Sequence, residues 1–249
     1  MAAEAVASVG GVDLARFARA NEAGWPAARV EAVEGWRVLI DDPRASRRAT
    51  SARWAGPSDP ASGIEAVAAT YRDAGLRPRF QHFDGDGAEA AVDAAGYPVE
   101  EPCTVLARET AIDWPEPARG TSVIEVRARV ALVGEILARG GMTAPRRAVF
   151  DRAPGVRAVF LGRGGQSPAG AVGVTLDGEV AVTQSLWVEP AARRSGLGGA
   201  LMAAIGRFAR EHGARVVAHG VNDANEGALA FYARHGFLRL GGYRYRSGA

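Results

Sequence analysis

The sequence predicts an α/β fold built from two similar halves, each with a mixed, mainly antiparallel sheet flanked by helices. Segments with helical and strand periodicity alternate along the chain. Asp177-Gly178 is a strong hairpin-turn signal between two apolar strand segments, so the strands around it are expected to be antiparallel. The order helix, glycine, strand, helix, glycine, strand occurs twice with nearly equal spacing, which indicates an internal duplication.

The first half contains two predicted helix and strand pairs, in which each helix ends at a glycine. They are a helix over 64–74, a strand over 79–83, a helix over 88–95 and a strand over 104–108. Residues 109–122 then contain two prolines and a glycine without a sustained period, which indicates a linker. We therefore divide the chain into an N-terminal domain, 1–115, and a C-terminal domain, 120–249.

The second half is predicted to form a meander of strands followed by alternating helices and strands. Its elements are a strand over 123–126, a helix over 132–137 closed by Gly140-Gly141, an arginine-rich connection over 145–152, strands over 156–161, 170–176 and 179–188, a helix over 197–209 stopped by Gly213, a strand over 215–221, a helix over 225–235 and a strand over 237–245. The helix that begins at Leu197 carries one continuous apolar stripe, so we expect it to be buried along that face.

Composition narrows the classes of function. All 30 basic residues are arginines, they are spread along the chain, and the net charge is only +2, so nucleic acid is not predicted as a partner. The single cysteine, Cys103, excludes an intramolecular disulfide and fits a reducing, cytoplasmic location. No apolar run is long enough for a membrane span, and the four histidines show no metal-ligand spacing. We expect neither a membrane nor a metal.

One loop carries the pattern of an anion-binding site. Arg193-x-x-Gly196-x-Gly198 lies directly before the apolar helix. Glycines allow a ligand close to the backbone, and the unpaired N–H groups of a first helical turn favour a phosphate. In a chain rich in glycine and arginine the pattern also arises by chance, in which case the loop is only a glycine-softened helix start.

A second pattern follows one helix and one strand later, as Asn-x-x-Ala-x-x-Phe-Tyr-x-x-x-Gly-Phe over residues 225–237. Together with the strand that ends in Leu186-Trp187-Val188 and the Arg-x-x-Gly-x-Gly loop, it resembles the GCN5-related N-acetyltransferase (GNAT) superfamily. The resemblance covers residues 123–246. The two patterns at this separation are far more specific than either alone.

The resemblance implies that the chain binds acetyl-CoA. In similar proteins the strand matching Leu186 and Val188 splays from its neighbour and pairs with the pantetheine arm. Asn225 matches a position that contacts this arm, and Tyr232 matches one that protonates the departing thiolate. The residues implied in cradling the pyrophosphate are Arg193, Arg194, Gly196, Leu197, Gly198 and Gly199.

The implied activity is transfer of the acetyl group to a primary amine of a small molecule or peptide, by a monomer or homodimer. A non-catalytic acyl-CoA-binding sensor is the alternative. Several roles stay open: Tyr232 also suits a core aromatic, Asn225 also suits a helix cap, and His219 suits an ordinary structural residue. The general base is unassigned, with Asp177, Glu179 and Glu189 near the strands concerned.

The N-terminal half lacks this chemistry. Aligning Gly96 with Gly236 puts Val92 at the place of Tyr232, and no Arg-x-x-Gly-x-Gly precedes its helix. We expect this half to be a degenerate GNAT-like repeat that shapes the acceptor side. Residues 35–54 are expected to form a hairpin-like element with a solvated arginine face, or else with arginines that meet an acidic acceptor.

Overall fold

Within the described residues, eleven strands form one sheet that runs through both halves of the chain. The computed structural model describes residues 5–57, 59–117, 119–126, 131–164 and 167–248. The strands are Arg29–Val33 (β1), Trp36–Ile40 (β2), Ala52–Trp54 (β3), Arg79–Phe83 (β4), Val99–Glu109 (β5), Thr121–Val126 (β6), Arg157–Gly164 (β7), Ser167–Asp177 (β8), Val180–Val188 (β9), Val216–Asn222 (β10) and Leu238–Ser247 (β11).

The helices alternate with these strands and cover both faces of the sheet. They are Leu14–Ala23 (α1), Ile64–Asp73 (α2), Glu89–Ala94 (α3), Ala131–Arg139 (α4), Ala144–Arg152 (α5), Leu197–Glu211 (α6) and Glu226–Arg234 (α7). The α1, α4 and α5 helices pack on one face, and α6 and α7 pack on the opposite face of the C-terminal strands. The α2 and α3 helices cover the N-terminal strands.

The two halves exchange their last strands. The strand order is β1-β2-β3-β4-β11-β5-β10-β9-β8-β7-β6, so β11 lies between β4 and β5, and β5 lies between β11 and β10. All three of these contacts are antiparallel. Each half therefore completes its sheet with a strand from the other half, and the sheet has no break at the linker between them.

The glycines that were predicted to end helices do so. Gly75, Gly96, Gly213 and Gly236 all have positive φ, between 67° and 82°, in the turn that follows a helix. The left-handed conformation at this position costs little energy when the residue is glycine, because glycine has no Cβ atom. The duplicated helix and glycine pattern in the sequence is thus confirmed as a duplicated structural pattern.

Two helices on one face of the sheet, α1 and α5, were not predicted from the sequence. The sequence predicts a connection over the arginine-rich segment 145–152, but this segment forms most of α5, with Pro145 in the first turn and Val149 and Phe150 buried. Proline suits a first helical turn because its missing N–H is not needed there. The helical period is hard to recognise because α5 has only two buried apolar side chains, which are too few for a stripe.

The linker is anchored to the C-terminal core. Trp114 packs against α6 at Gly206, and the guanidinium of Arg108 lies 4.1 Å from the centroid of the Trp114 ring. A Cβ atom on Gly206 would come within 2.1 Å of the indole. The glycine inside this helix is therefore explained by the close approach of the tryptophan.

We expect Gly206→Ala to destabilise the protein by about 1–3 kcal/mol, because the indole must leave its place against α6. Urea unfolding monitored by circular dichroism measures this difference. Gly227→Ala is the control, since Gly227 also lies inside a helix but has only its own cap, Asn225, within 4 Å of the added Cβ. Equal stability of Gly206→Ala and wild type would contradict this account of the linker.

Candidate active site

The two central strands of the C-terminal half separate over part of their length. β9 and β10 run parallel and pair only from Val180 and Val216 to Val182 and Ala218. Beyond this point β10 continues to pair with β5, while β9 continues to pair with β8. A wedge-shaped gap therefore opens between β9 and β10 inside a continuous sheet. The splayed strand implied by the GNAT resemblance is present.

Backbone polar groups of both strands face this gap. The N–H of Glu189 donates to the carbonyl of Ala169 at 2.8 Å, so by the alternation of an antiparallel pair the N–H and C=O of Val188 point away from β8. On β10, the N–H of Asp223 donates to the carbonyl of Pro102 next to β5 at 2.9 Å. By the same alternation the N–H and C=O of Gly220 point away from β5 and towards the gap. An extended ligand with its own donors and acceptors can pair with these edges.

Thr183 and His219 stand at the closed end of the gap. They follow the last paired residues, and Oγ1 of Thr183 lies 3.1 Å from Nδ1 of His219. His219 is buried, and burial lowers its pKa to about 3, so the imidazole is neutral at neutral pH. Its Nε2 atom is buried without a hydrogen-bond partner among the described residues.

Tyr232 packs from α7 onto this closed end. Its ring centroid lies 3.8 Å from that of His219 and 5.2 Å from that of Phe237. The side chain is only 6% exposed, and burial raises the pKa of the phenol well above its ordinary value. Tyr232 is thus both a core aromatic and a protonated hydroxyl-bearing group beside the gap.

The predicted anion loop joins β9 to α6. Arg194 and Gly196 both have positive φ, 62° and 86°, and Gly196 precedes the first turn of α6 without a side-chain cap. The N–H groups at the start of α6 are therefore left for an external acceptor, and the helix dipole favours an anion there. Leu197, the first residue of α6, is buried in the C-terminal core and fixes the start of the helix.

Arg193 folds back onto β9. Its Nε donates to the carbonyl of Val188 at 3.2 Å, and its guanidinium lies 5.0 Å from the ring centroid of Trp187. Arg193 and Arg194 are both exposed. The carbonyl of Val188 thus already has a partner, and its N–H is the group left for a ligand in the gap. Leu186 and Val188 are partly buried against the C-terminal core.

Gly198 and Gly199 bring α6 close to α7. A Cβ atom on Gly198 would lie 3.1 Å from the ring of Phe231, and one on Gly199 would lie 2.7 Å from Nε2 of His235. These glycines therefore have a packing function. The resemblance assigned them to the pyrophosphate cradle, and that assignment stays a prediction beside the packing role. Both residues are partly exposed.

Asn225 caps α7. Its side-chain oxygen accepts a hydrogen bond from the N–H of Ala228 at 3.1 Å, and the residue is exposed. The cap that the sequence suggested is confirmed. Contact between Asn225 and a cofactor arm stays a prediction.

The three acids considered as a general base each pair with an arginine. Asp177 pairs with Arg16, and Glu179 pairs with Arg215, both at the hairpin end of β8 and β9 that is remote from Val188. Glu189 pairs with Arg139 at 2.6 Å. Each of the three carboxylates is thus already paired with an arginine, and none of them is assigned as the base.

Two features of the site escaped sequence reasoning. Ser185 adopts φ of 51°, and together with Leu186 it opposes the single residue Val172, so β9 carries a bulge inside the gap region. Arg48, from the N-terminal half, contacts Gln184 next to this bulge. Serine gives no local signal for a left-handed conformation, and a contact across 136 positions leaves no trace in periodicity.

A cavity of about 750 Å³ lies between α1 and the N-terminal strands. Its charged side chains largely pair with each other or with close neighbours: Glu22 pairs with Arg37 and Arg53, and Asp84 pairs with Arg244. The residues that line it do not include those of the gap. The candidate site is therefore the gap and not this cavity.

Cys103 is buried beside β11, and burial raises the pKa of its thiol to about 11, which makes it a poor nucleophile. Within the described ranges, no three His, Cys, Asp or Glu side chains are grouped as metal ligands. No helix in the described part of the chain is long and apolar enough to cross a membrane.

Comparison with known proteins agrees with this geometry. Residues 134–237 match the model of the acetyltransferase (GNAT) family. The fold is similar to that of a GCN5-related N-acetyltransferase from Kribbella flavida, with a TM-score of 0.79 and 19% identity over 99% of this chain and 98% of that one. No curated protein matches the sequence.

Two further structures share the fold at lower similarity. A GCN5-related N-acetyltransferase from Sphaerobacter thermophilus has a TM-score of 0.61 and 14% identity, over 86% of this chain and 76% of that one. A tandem GNAT protein from the clavulanic acid biosynthesis pathway has a TM-score of 0.61 and 16% identity, over 86% and 78%. Because these likenesses extend over both halves, the chain has the fold of two GNAT-like halves, and its residues 134–237, which include both sequence patterns, match the GNAT acetyltransferase family model.

Proposed function

We propose that the C-terminal half transfers the acetyl group of acetyl-CoA to a primary amine of a small molecule or peptide. The observation that carries the proposal is the gap between β9 and β10, which ends beside the uncapped start of α6. A cofactor with an extended arm and a pyrophosphate suits this pair of features. The arm would lie along Val188, and the phosphates would meet the N–H groups after Gly196.

Direct transfer needs no nucleophile from the protein. The amine nitrogen attacks the thioester carbonyl, a C–N bond forms, the C–S bond breaks, and the thiolate of CoA leaves. The N–H of Val188 faces the gap and would pair with an acceptor of the extended arm. The amine must lose a proton, and the thiolate must gain one, before product is released.

Tyr232 is the proposed donor of the second proton. Its phenol is protonated at neutral pH, and the ring packs on His219 at the closed end of the gap. A thiolate that leaves at this end would meet a hydroxyl and a neutral imidazole, both in an apolar surrounding. A hydrogen-bond donor at that point favours departure of the charged sulfur.

Equilibrium binding and thiol release test the proposal together. Isothermal titration with acetyl-CoA, and with NAD as the competing nucleotide class, shows which cofactor the loop accepts. Release of free CoA thiol over a panel of amines then shows whether transfer occurs. Binding of NAD in preference to acetyl-CoA would exclude the proposal, and binding of acetyl-CoA without release from any amine would favour a non-catalytic acyl-CoA sensor.

Replacing Gly196 by alanine is expected to weaken acetyl-CoA binding by about tenfold or more. A left-handed alanine is strained by roughly 1–2 kcal/mol, so the loop should relax and misplace the first N–H groups of α6. Isothermal titration measures the affinity. Gly213→Ala is a matched control, because Gly213 has φ of 80° at the other end of the same helix. A similar loss of affinity in both variants would contradict the loop assignment.

A further inference from the structure

Two arginines that form no ion pair with a carboxylate of the described residues lie together on the α1 face of the sheet. Arg48, from the short turn Arg47–Thr50, lies 5.1 Å from the ring centroid of Trp25, and Arg146, from α5, lies 5.7 Å from the same ring. Arg48 and the partly buried Arg146 thus both lie over the indole of Trp25. Two like charges in a partly buried place repel each other unless an anion lies between them.

This pair of arginines stands directly behind the gap. Side chains alternate along β9, so Gln184 points to the face opposite Thr183 and His219. Nη1 of Arg48 donates to Oε1 of Gln184 at 3.2 Å. The arginines therefore lie on the far side of the sheet from α6 and its anion loop, at the level where β9 and β10 separate.

The acids of this region are already paired. Glu22 holds Arg37 and Arg53, and Glu101 holds Arg47. Among the described residues, no carboxylate forms an ion pair with Arg48 or with Arg146, and the two hydrogen bonds of Arg48 go to neutral amides. The neighbouring arginines Arg37, Arg47 and Arg53 each pair with a carboxylate, so Arg48 and Arg146 differ from their surroundings.

Further donors around the arginines also lack partners. The buried atoms without a hydrogen bond in the described structure include Nδ2 of Asn21, Nε1 of Trp25, Nε of Arg146 and Nε2 of Gln184. All four are donors. A buried donor that stays unpaired destabilises the fold, so a group of them indicates a missing acceptor.

We propose that this cluster, Asn21, Trp25, Arg48, Arg146 and Gln184, binds an anionic oxygen group of the acceptor, a carboxylate or a phosphate. The inference rests on the proposed function and adds the class of substrate, a primary amine that also carries such a group. The amine would enter the gap while its anionic group stays on the α1 face. The N-terminal half, through Asn21, Trp25 and Arg48, then selects the substrate.

Matched amines test this inference. Thiol release is measured for free amino acids against their carboxamides, and for phosphoethanolamine against ethanolamine. We expect kcat/KM to be about tenfold or more higher for the anionic member of at least one pair, since charge-assisted hydrogen bonds are the stronger kind. The pair that shows the preference tells carboxylate from phosphate. Equal rates within every pair would overturn the inference and leave the proposed function intact.

Arginine variants test the location of the site. Arg48→Gln and Arg146→Gln should raise KM for the preferred anionic amine about tenfold, with little change in kcat or in acetyl-CoA affinity, and Arg48→Lys should restore part of the loss. Arg72→Gln is the control, because it removes the same charge from α2, where Arg72 pairs with Glu65. Retained acetyl-CoA affinity shows that a variant is folded. A KM that is unchanged in both glutamine variants would overturn the assignment.

Product binding decides the inference even if no amine is acetylated. Isothermal titration of the CoA-bound protein with N-acetylamino acids, their carboxamides, N-acetylphosphoethanolamine and N-acetylethanolamine needs no turnover. Tighter binding of the anionic members, lost in Arg48→Gln, supports the site. Equal binding of anionic and neutral members overturns it, whereas failure of the proposed function appears separately as absent thiol release.

Discussion

Removing the hydroxyl of Tyr232 is expected to lower kcat by roughly 10²–10⁴-fold, the range typical of a lost general acid. The ring of Tyr232→Phe keeps its contacts with His219 and Phe237, so the fold and the affinity for acetyl-CoA should be nearly unchanged. Stopped-flow or steady-state thiol release gives kcat, and titration calorimetry gives the affinity. A loss in kcat alone indicates an interaction made in the transition state.

Tyr97→Phe is the matched control for this variant. Tyr97 packs on Phe80 in the core of the N-terminal half, and the substitution removes the same atom far from the gap. We expect its kcat to equal that of the wild type. Should Tyr232→Phe also retain full kcat, Tyr232 is a core aromatic and the proton on the thiolate comes from another group.

The buried imidazole of His219 is expected to make the protein acid-sensitive. Burial lowers its pKa in the folded state to about 3 from an ordinary value of 6.5, so between these values the unfolded chain binds the extra proton. The free energy of unfolding therefore falls as pH drops below 6.5 and continues to fall towards pH 3. We expect this one residue to contribute a loss of about 3 kcal/mol between pH 7 and pH 4.

Urea unfolding of wild type and His219→Asn at pH 7 and pH 4 measures this effect. Asparagine keeps a polar atom near Thr183 but has no proton to take up in this range. For each protein, the free energy of unfolding at pH 4 is subtracted from that at pH 7, so a constant destabilisation by the substitution cancels. We expect this difference to be smaller for His219→Asn than for the wild type. An identical loss of stability in both proteins would show that His219 does not drive the acid response.

Local patterns in the sequence predicted the parts of the site that lie close together along the chain. Gly196 before the apolar stripe of α6 marked the loop, and Asn225 before Glu226 marked the start of α7. The glycines that end helices were also predictable, because a left-handed turn selects for glycine within a few residues. The segment 145–152 was missed because the helical pattern of α5 rests on only two buried side chains.

The sequence by itself determined most helices and strands, the loop before α6 and the likeness of the two halves, since each of these depends on neighbouring residues. Only the tertiary structure decided that β5 and β11 change places, that β9 and β10 separate after Val182 and Ala218, and that Arg48 reaches Gln184. Strand pairing and side-chain contacts across a hundred or more positions depend on the packing of the whole sheet, and no local period encodes them.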